Sequence, residues 1–547
     1  MKLRSIVLPA LVFTACSSGE DAPSEGPPPT WSNEIRAIVE NNCTTCHYSG
    51  GATPFALQTH EEVAGASAAM LDAMTSGRMP PWPADPACRT YRDERRLDAE
   101  DIEIFRRWVT AGTPMGEQVA SIEVTPPVFD ADTTAKAATA YLPELSSAGD
   151  DYRCFVLDID FDAPTWIVGS TVEPATEAVH HVIVYALTAA QAQTAVMLDA
   201  EDEREGYTCF GGPLPRDNGN LTSSFASSIA SWVPGAEPRR LPDGTGISVA
   251  AGSKIVMQVH YSAVGGTSRP DQTAVLLKTT QTPPARIERT MSFPVLDLVI
   301  PAGDDNVTVS QTITNWSNSP ATITSFTGHM HLLGTKISAE IMGLNDESRC
   351  GLSIPNWDFD WQLNYRLPES MPMTVAPNEG IKITCTYDNS AAHQPFVDGV
   401  QQQPRNVTWG EGSLDEMCLL YATVVEPYTG PAAAPTTAPC AAVSECYAGS
   451  DGGFSDLLAC EQTSTACAFC PIQSFASCGL SPCLANLGDA RQCLTDCLIS
   501  TNAFGGSMDR CLRANCSTVY DAVLACADPV FESGACSEVL TGCGLAP

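Results

Sequence analysis

The chain has 547 residues, which predicts about three to four domains at roughly 150 residues per domain. Hydrophobic residues make up 44% of it and charged residues 17%, so the chain can form packed cores and is not disordered. Its 64 acidic residues outnumber its 29 basic ones and give a net charge of −35. Such a surface repels phosphate groups, which excludes nucleic acid as a partner and disfavours an anionic membrane surface. The 23 cysteines exclude the cytosol and indicate an oxidising compartment, metal sites or both.

The N-terminus predicts export and a lipid anchor. Lys2 and Arg4 precede the apolar segment IVLPALVFTA, which is too short to span a bilayer and is followed by Cys16. The segment FTAC resembles a bacterial lipobox, in which the cysteine is lipidated; ordinary signal-peptide cleavage is the alternative. No Asp follows Cys16, which favours the outer membrane, facing the periplasm or the cell surface. We predict a signal peptide over 1–16, a Pro-rich tether over 17–30, and membrane attachment through the lipid only.

A haem-attachment motif comes next. In NNCTTCH, Cys43, Cys46 and His47 form the C-x-x-C-H pattern, whose thiols reach both haem vinyl groups and whose His ligates iron. A disulfide or half of a zinc site is the alternative, disfavoured because no second C-x-x-C or His pair lies nearby. We predict Met79, in the stiff loop SGRMPPWPAD, as the second axial ligand. His60 is the alternative ligand, although a lone His in THEEVA is more often a solvated residue at a helix start.

The segment LDAEDIEIFRRWVTAG predicts an amphipathic helix that ends at Gly112. The residues expected on its buried side are Ile102, Ile104, Phe105 and Trp108. Together with the haem motif, this helix makes residues 31–120 resemble a small class I cytochrome c, which is all-α.

Between Pro126 and Pro427, short runs rich in Thr, Val and Ile predict an all-β region, and five of the eight histidines fall there in three short segments. They are His180, His181, His260, His329 and His331. Two residues apart on a strand, the last two project from one face and can bind one metal ion. The adjacent pair in EAVHHVIVYAL would point to opposite faces of an ideal strand, so a shared metal requires local twist or a bulge. The remaining histidine, in the strand-like KIVMQVHYS, could complete a three-His site.

Each of these histidines taken alone is more often a core or surface residue than a ligand. Their pairing favours a metal, because two buried imidazoles side by side need a shared partner. A three-His site accepts zinc or copper. A thioether in the second ligand set would favour copper that cycles through Cu(I).

The segments HHVIVYA, VMQVHYS, TGHMHLLG and LDEMCLLY occur in that order. From near Pro126 to near Pro427 they resemble the copper type II, ascorbate-dependent monooxygenases, the group of peptidylglycine α-hydroxylating monooxygenase and dopamine β-monooxygenase. The resemblance implies two copper ions with separate roles. The implied ligands are His180, His181 and His260 for the electron-transfer copper, and His329, His331 and Met417 for the copper that takes O2 and faces the substrate.

The family fold implies two antiparallel, jelly-roll-like β-sandwiches, one copper each, facing across a solvent-filled cleft. We expect them over 125–283 and 284–428, with the boundary near Thr282–Ala285. The resemblance also implies the disulfides Cys154–Cys209 and Cys385–Cys418. Cys350 has no partner that the sequence identifies.

Two departures from the peptide-hydroxylating branch bear on the substrate. Thr327 replaces the arginine that grips a peptide carboxylate, and Leu419 replaces an asparagine two residues after the metal-binding methionine; Tyr421 is kept. Peptides with C-terminal glycine are therefore not the expected substrates, and we expect a less polar pocket. His393, in YDNSAAHQPF, is expected to be a loop residue.

The function predicted is hydroxylation of a C–H bond of a small organic substrate with O2. Electrons would come from ascorbate, from a redox donor protein, or through one covalent haem c to the copper of the three-histidine site. The alternatives are a non-hydroxylating electron-transfer or copper-binding envelope protein, and a surface adhesin. Five histidines without a role make the adhesin the weakest of these.

The tail predicts a module held together by disulfides. After a linker over 429–439, 14 cysteines fall between Cys440 and Cys543, a density typical of small secreted scaffolds. We expect a mainly helical module over 440–547 that is a spacer or binding unit without chemistry of its own. The spacing of Cys493 and Cys497 suits helices cross-linked to neighbours. A metal-thiolate cluster is the alternative, although only CAFC, at 467–470, has ligand spacing.

Overall fold

The computed structural model describes residues 26–536 with gaps. The undescribed residues within this span are 51–52, 54, 93, 126–127, 146–149, 210–211, 215–226, 234–235, 263–268, 346, 398, 411, 429–442, 444–445, 451–452, 462–489, 505–507 and 535. The predicted signal peptide with Cys16, the 429–439 linker and the 467–470 motif therefore lie outside the described residues. None of the described helices is both long and apolar enough to cross a membrane.

The N-terminal part is helical. A π-helical turn runs over Trp31–Ile35 and continues into α1 (Arg36–Asn42), followed by α2 (His60–Thr75) and α3 (Ala99–Thr110). Helix α3 is the predicted amphipathic helix. Of its residues expected to be buried, Phe105 and Trp108 are fully so and the two isoleucines are half-buried against the same core.

The all-β prediction for the middle of the chain is confirmed. The described residues from 133 to 280 form ten strands and one helix: β1 (Thr133–Lys136), β2 (Asp150–Leu157), β3 (Thr165–Glu173), β4 (Val179–Leu187), α4 (Ala189–Glu201), β5 (Tyr207–Thr208), β6 (Ser227–Trp232), β7 (Arg239–Arg240), β8 (Thr245–Val249), β9 (Lys254–Ser262) and β10 (Ala274–Thr280). One sheet has the order β1-β10-β3-β8, and the other the order β5-β2-β9-β4-β6. Val172 of the first and Val182 and Val259 of the second lie in one shared core, so the two sheets pack together.

A second group of strands follows between residues 286 and 427. It comprises β11 (Arg286–Pro294), β12 (Val299–Ile300), β13 (Val307–Thr314), β14 (Ala321–His329), β15 (Gly334–Met342), β16 (Ser348–Ile354), β17 (Tyr365–Arg366), β18 (Met373–Val375), β19 (Gly380–Tyr387), β20 (Phe396–Val397), β21 (Val400–Gln401), β22 (Val407–Thr408) and β23 (Leu419–Pro427). Its main sheets have the orders β11-β23-β14-β17 and β13-β19-β15-β16. Phe326 and Leu420 of one pack with Ile337 and Ile383 of the other.

The two halves share one ten-stranded sheet, because β8 pairs in parallel with β11. Strand β10 ends at Thr280 and β11 begins at Arg286, on either side of the expected boundary. The two implied disulfides, Cys154–Cys209 and Cys385–Cys418, are confirmed, one in each half. Cys350 is bonded to Cys88, which joins the N-terminal part to the second half.

The described part of the tail is helical and disulfide-bonded, as predicted. Its helices are α5 (Phe454–Glu461), α6 (Ala490–Phe504), α7 (Met508–Asn515) and α8 (Tyr520–Glu532). Cys493 and Cys497 on α6 are bonded to Cys516 and Cys511, and a further disulfide joins Cys446 to Cys460. Helix α6 packs on the second half, where the Phe504 and Phe293 rings lie 5.7 Å apart and Ser500 donates a hydrogen bond to the Thr314 carbonyl.

A buried arginine fixes β2 in the first half. The Arg153 side chain is fully buried and donates to Asp202 at 2.7 Å and to the carbonyls of Glu205 and Gly206. The hydrogen bond from Arg153 holds the pKa of Asp202 down at about 2. Because β2 also carries Asp150, this ion pair supports a strand that reaches the histidines described below.

Asp202→Asn removes the carboxylate partner of the buried guanidinium, and we expect the free energy of unfolding to fall by about 3 kcal/mol at neutral pH. The difference from the wild type should shrink as the pH falls from 3.8, the ordinary pKa of Asp, to about 2. Urea unfolding at neutral pH and near pH 3 measures it. As a control, Asp160→Asn breaks an exposed pair with Lys254 and should change stability by less than about 1 kcal/mol. Equal effects of the two variants would contradict the assignment.

Candidate metal centres

A β-bulge brings the adjacent histidines together. Between β4 and β9, Val179 pairs with Tyr261 and His181 pairs with His260, so His180 is an extra residue in the ladder. The extra residue breaks the strict alternation of side chains. His180 and His181 can therefore turn to the same side, as the sequence required for a shared metal.

The three histidines present their Nδ1 atoms to one another. The Nδ1 of His180 lies 3.3 Å from that of His181 and 3.2 Å from that of His260, and the remaining pair is 3.3 Å apart. A point equidistant from the three corners of this triangle lies about 1.9 Å from each, and Zn–N bonds measure about 2.0–2.1 Å. The three nitrogens therefore fit a single metal ion with little movement.

A carboxylate and a tyrosine orient His260. Its Nε2 lies 2.7 Å from the Asp150 carboxylate, and its ring stacks on Tyr152 with centroids 4.2 Å apart. The carboxylate accepts the Nε2 proton, which leaves the Nδ1 lone pair for a metal. Asp150 was not singled out from the sequence; it pairs with Ser262, two residues after His260, and this proximity becomes visible only in the sheet register.

Burial disfavours the charged form of His180 and His181. It lowers the pKa of His181 well below 6.5, and the neighbouring histidines lower it further. The pKa of His180 is lowered by burial and by His260 in the same way. Neutral imidazole is the form that binds metal, so both side chains are ready to bind without first losing a proton.

His329 and His331 present Nε2, rather than Nδ1, as the atom that can bind a metal. His329 ends β14, and its Nδ1 lies 2.5 Å from Oε1 of Gln362. The Nδ1 of His331 lies 3.1 Å from the Asp415 carbonyl. With both Nδ1 atoms donating to oxygen, Nε2 is the metal-binding atom of each ring. The rings are nearly perpendicular with centroids 5.1 Å apart, and burial lowers the pKa of His331 to about 3.

The segment around Met417 is tied to the His331 backbone by one buried carboxylate. Glu416 is fully buried and accepts hydrogen bonds from the amides of His331 at 2.9 Å, Leu333 at 2.6 Å and Met417 at 3.2 Å. Tyr387 donates to the Met417 carbonyl at 2.8 Å. Sequence reasoning missed Glu416; its only signal was an acidic residue directly before the apolar run MCLLY.

The two histidine sites lie within electrostatic reach of each other. Burial, His260 and His180 lower the pKa of His181. His329, which belongs to the other histidine pair, lowers it further. Asp360, two residues before Gln362, opposes the lowering of the pKa of His180. Charge at one site therefore affects the other, although the sites belong to different sheet pairs.

A row of uncharged polar side chains continues from His329 along the sheet. Thr327 pairs with Tyr421 across β14 and β23. The Asn364 amide donates to Thr327 Oγ1 at 3.0 Å and to Ser325 Oγ at 3.1 Å. Hydroxyl and amide groups therefore lie beside His329, and Arg366 pairs with Ser325 at the end of the row.

The residues predicted to attach haem lie in the turn after α1. Cys43 and Cys46 are half-buried free thiols, which argues against the disulfide alternative, and burial raises the pKa of Cys43 to about 12. The Nδ1 of His47 lies 3.3 Å from the Phe55 carbonyl, leaving Nε2 for iron. This arrangement fits covalent haem attachment.

The two candidates for the second axial ligand differ in their contacts. The Nε2 of His60 lies 2.9 Å from the Thr113 carbonyl, and the residue begins α2 as expected, although it is half-buried. Met79 is half-buried after α2, and its amide donates to the Ala73 carbonyl. No described contact joins Met79 to His47. His393 lies exposed in a turn, as expected.

The comparisons with known proteins identify no family. No family model matches the chain, and no curated protein matches it. Among solved structures, the major capsid protein P2 of bacteriophage PM2 is 7% identical, with 54% of this chain and 98% of that one covered and a TM-score of 0.22. A structure from the Gx strain of infectious bursal disease virus is 10% identical, with 55% and 73% covered and a TM-score of 0.14. These scores are too low to assign a shared fold.

Glu416→Gln replaces one acceptor oxygen with an NH2 group, which would face the backbone N–H donors that the carboxylate now accepts from. We therefore expect the Met417 segment to be held less firmly to the His331 backbone. At the predicted site of His329, His331 and Met417, which we call the second site, copper(II) affinity should fall about 10- to 100-fold. This is the usual effect of removing a group that orients ligands. The three-histidine site should keep its affinity. Copper titration followed by electron paramagnetic resonance separates the two sites.

Glu288→Gln is the matched control, because Glu288 is also a buried glutamate of the second half but is paired with Arg239. It should leave both copper affinities unchanged. Unchanged binding at the second site in Glu416→Gln would show that this carboxylate does not position the ligands.

Proposed function

We propose that the protein is a copper-dependent monooxygenase with its own c-type haem, which hydroxylates a C–H bond of a small organic molecule. The observation that carries the proposal is the triangle of three histidine Nδ1 atoms, 3.2–3.3 Å apart. A second pair, His329 and His331, presents Nε2 instead. Two differently built sites support two metal ions with different tasks.

The donor sets favour copper over zinc. His180, His181 and His260 would hold one ion through nitrogen alone, whereas Met417 would add a thioether to His329 and His331 at the other. A thioether stabilises Cu(I), which a zinc site does not need. Two bound copper ions would together supply two electrons, which with two protons reduce one oxygen atom of O2 to water while the other enters the substrate.

The chain's own residues would hold the ligands and the substrate. Asp150 fixes the tautomer of His260, and Gln362 fixes that of His329. The row beside His329, with Thr327, Asn364 and Tyr421, offers hydroxyl and amide groups for hydrogen bonds to a polar substrate. Arg366 pairs with Ser325 at the end of this row.

The same proposal includes the haem and the location. Cys43 and Cys46 would bond the haem, His47 would ligate its iron and Met79 would be the second axial ligand. The haem would supply electrons in place of ascorbate or alongside it. Lipidation at Cys16 would anchor the protein at the outer membrane of a bacterial envelope.

The ratio of copper to haem in protein matured in a bacterial envelope tests the proposal. We expect about two copper ions per haem, falling to about one in His329→Ala, because each site needs its full ligand set. His393→Ala, which alters an exposed turn, is the control and should leave the ratio unchanged. Full haem occupancy without copper would leave a haem electron-transfer protein and refute the monooxygenase.

A further inference from the structure

An arm of the N-terminal part, residues 82–92, is built into the second half of the molecule. The Cys88–Cys350 disulfide joins residues 262 positions apart in the sequence. The Asp85 amide donates to the Ser353 carbonyl at 2.8 Å, and the Tyr91 hydroxyl donates to the Gly351 carbonyl at 3.1 Å. All three contacts are made to residues of strand β16.

The arm also completes the hydrophobic core of the second half. Trp82, Ala84 and Tyr91 are at most 9% exposed and belong to the same core as Phe326. The Trp82 and Tyr91 rings both pack on Tyr365, with centroids 5.2 and 5.3 Å apart. A covalent bond, hydrogen bonds and buried aromatic rings together make the arm a fixed attachment.

The docking point lies directly behind the second metal site. Tyr365 belongs to β17, which pairs with β14 at Phe326, three residues before His329. The residues just before it contact the site side chains: Gln362 binds His329, and Asn364 binds Thr327. At its other end the arm starts three residues after Met79.

We propose that this arm fixes the haem-binding module at the second metal site, so that electrons from the haem enter at His329, His331 and Met417. The proposal rests on the proposed function. In the step, one electron leaves a ferrous haem, which becomes ferric, and one Cu(II) becomes Cu(I), with no bond broken and no proton transferred. It differs from the sequence-based expectation of entry at the three-histidine site, because the arm binds residues 350–371 of the second half. A fixed attachment makes the transfer intramolecular.

Single-site variants identify the entry point. Copper(II)-loaded protein is prepared without O2, its haem is reduced by a laser flash, and haem reoxidation is followed by absorbance. We expect the fast phase to persist in His180→Ala, which keeps the second site, and to be lost in His329→Ala, which keeps the first. Loss in His180→Ala, or persistence in His329→Ala, would overturn the proposal. Absence of copper or haem from the protein would instead refute the proposed function, and the metal ratio detects this beforehand.

A second measurement tests the arm itself. The variant carrying Cys88→Ser, Cys350→Ser and Tyr91→Ala removes the disulfide and one ring. With unchanged copper and haem content, its fast phase should slow and become dependent on solvent viscosity, as for an undocked module. Cys154→Ser with Cys209→Ser, which opens a disulfide of the first half, should leave the phase unchanged. A fast, viscosity-independent phase in the arm variant would overturn the proposal. If that variant fails to fold, the comparison of His180→Ala with His329→Ala decides whether the proposal holds.

Discussion

The constraint on which the site depends is the meeting of three imidazoles at one point. Each turns Nδ1 toward the other two, and burial disfavours the protonated form of His180 and His181. Three ring nitrogens at this separation cannot all be paired through shared protons. A cation bound among them would remove the repulsion between their lone pairs. The bulge at His180 lies in the strand that carries both adjacent histidines. Asp150 binds the Nε2 of His260, so that its Nδ1 faces the other two histidines.

Much of this was predictable from local patterns. Alternating β-rich runs predicted the sheets, and the histidine segments predicted the three-histidine cluster, for which the adjacent pair required local twist or a bulge. Features that depend on long-range packing were not predictable. Cys88 and Cys350 lie in different predicted modules, 262 residues apart, and nothing local indicates that they meet. Glu416 was missed because burial of a carboxylate under three backbone amides is a property of the folded chain.

The two halves of the β region differ in how their ligands are held. In the first, all three histidines lie on two neighbouring strands, so the sheet itself determines their separation. In the second, Met417 precedes its strand, and its segment is held by Glu416, Tyr387 and the Cys385–Cys418 disulfide. A site assembled from a strand end and a braced loop can adjust more than one built within a sheet.

Attachments from every other part of the chain converge on that second half. The N-terminal arm enters its core, helix α6 of the tail packs on β11 and β13, and β8 of the first half extends its sheet. Phe326 of β14 points into the core that the arm and α6 complete, so the alternation of side chains places Thr327 on the opposite face of the strand. The buried contacts therefore restrain the sheet from the core side. Rigid support of this kind is what a site needs in order to bind a substrate beside a metal without losing the geometry of its ligands.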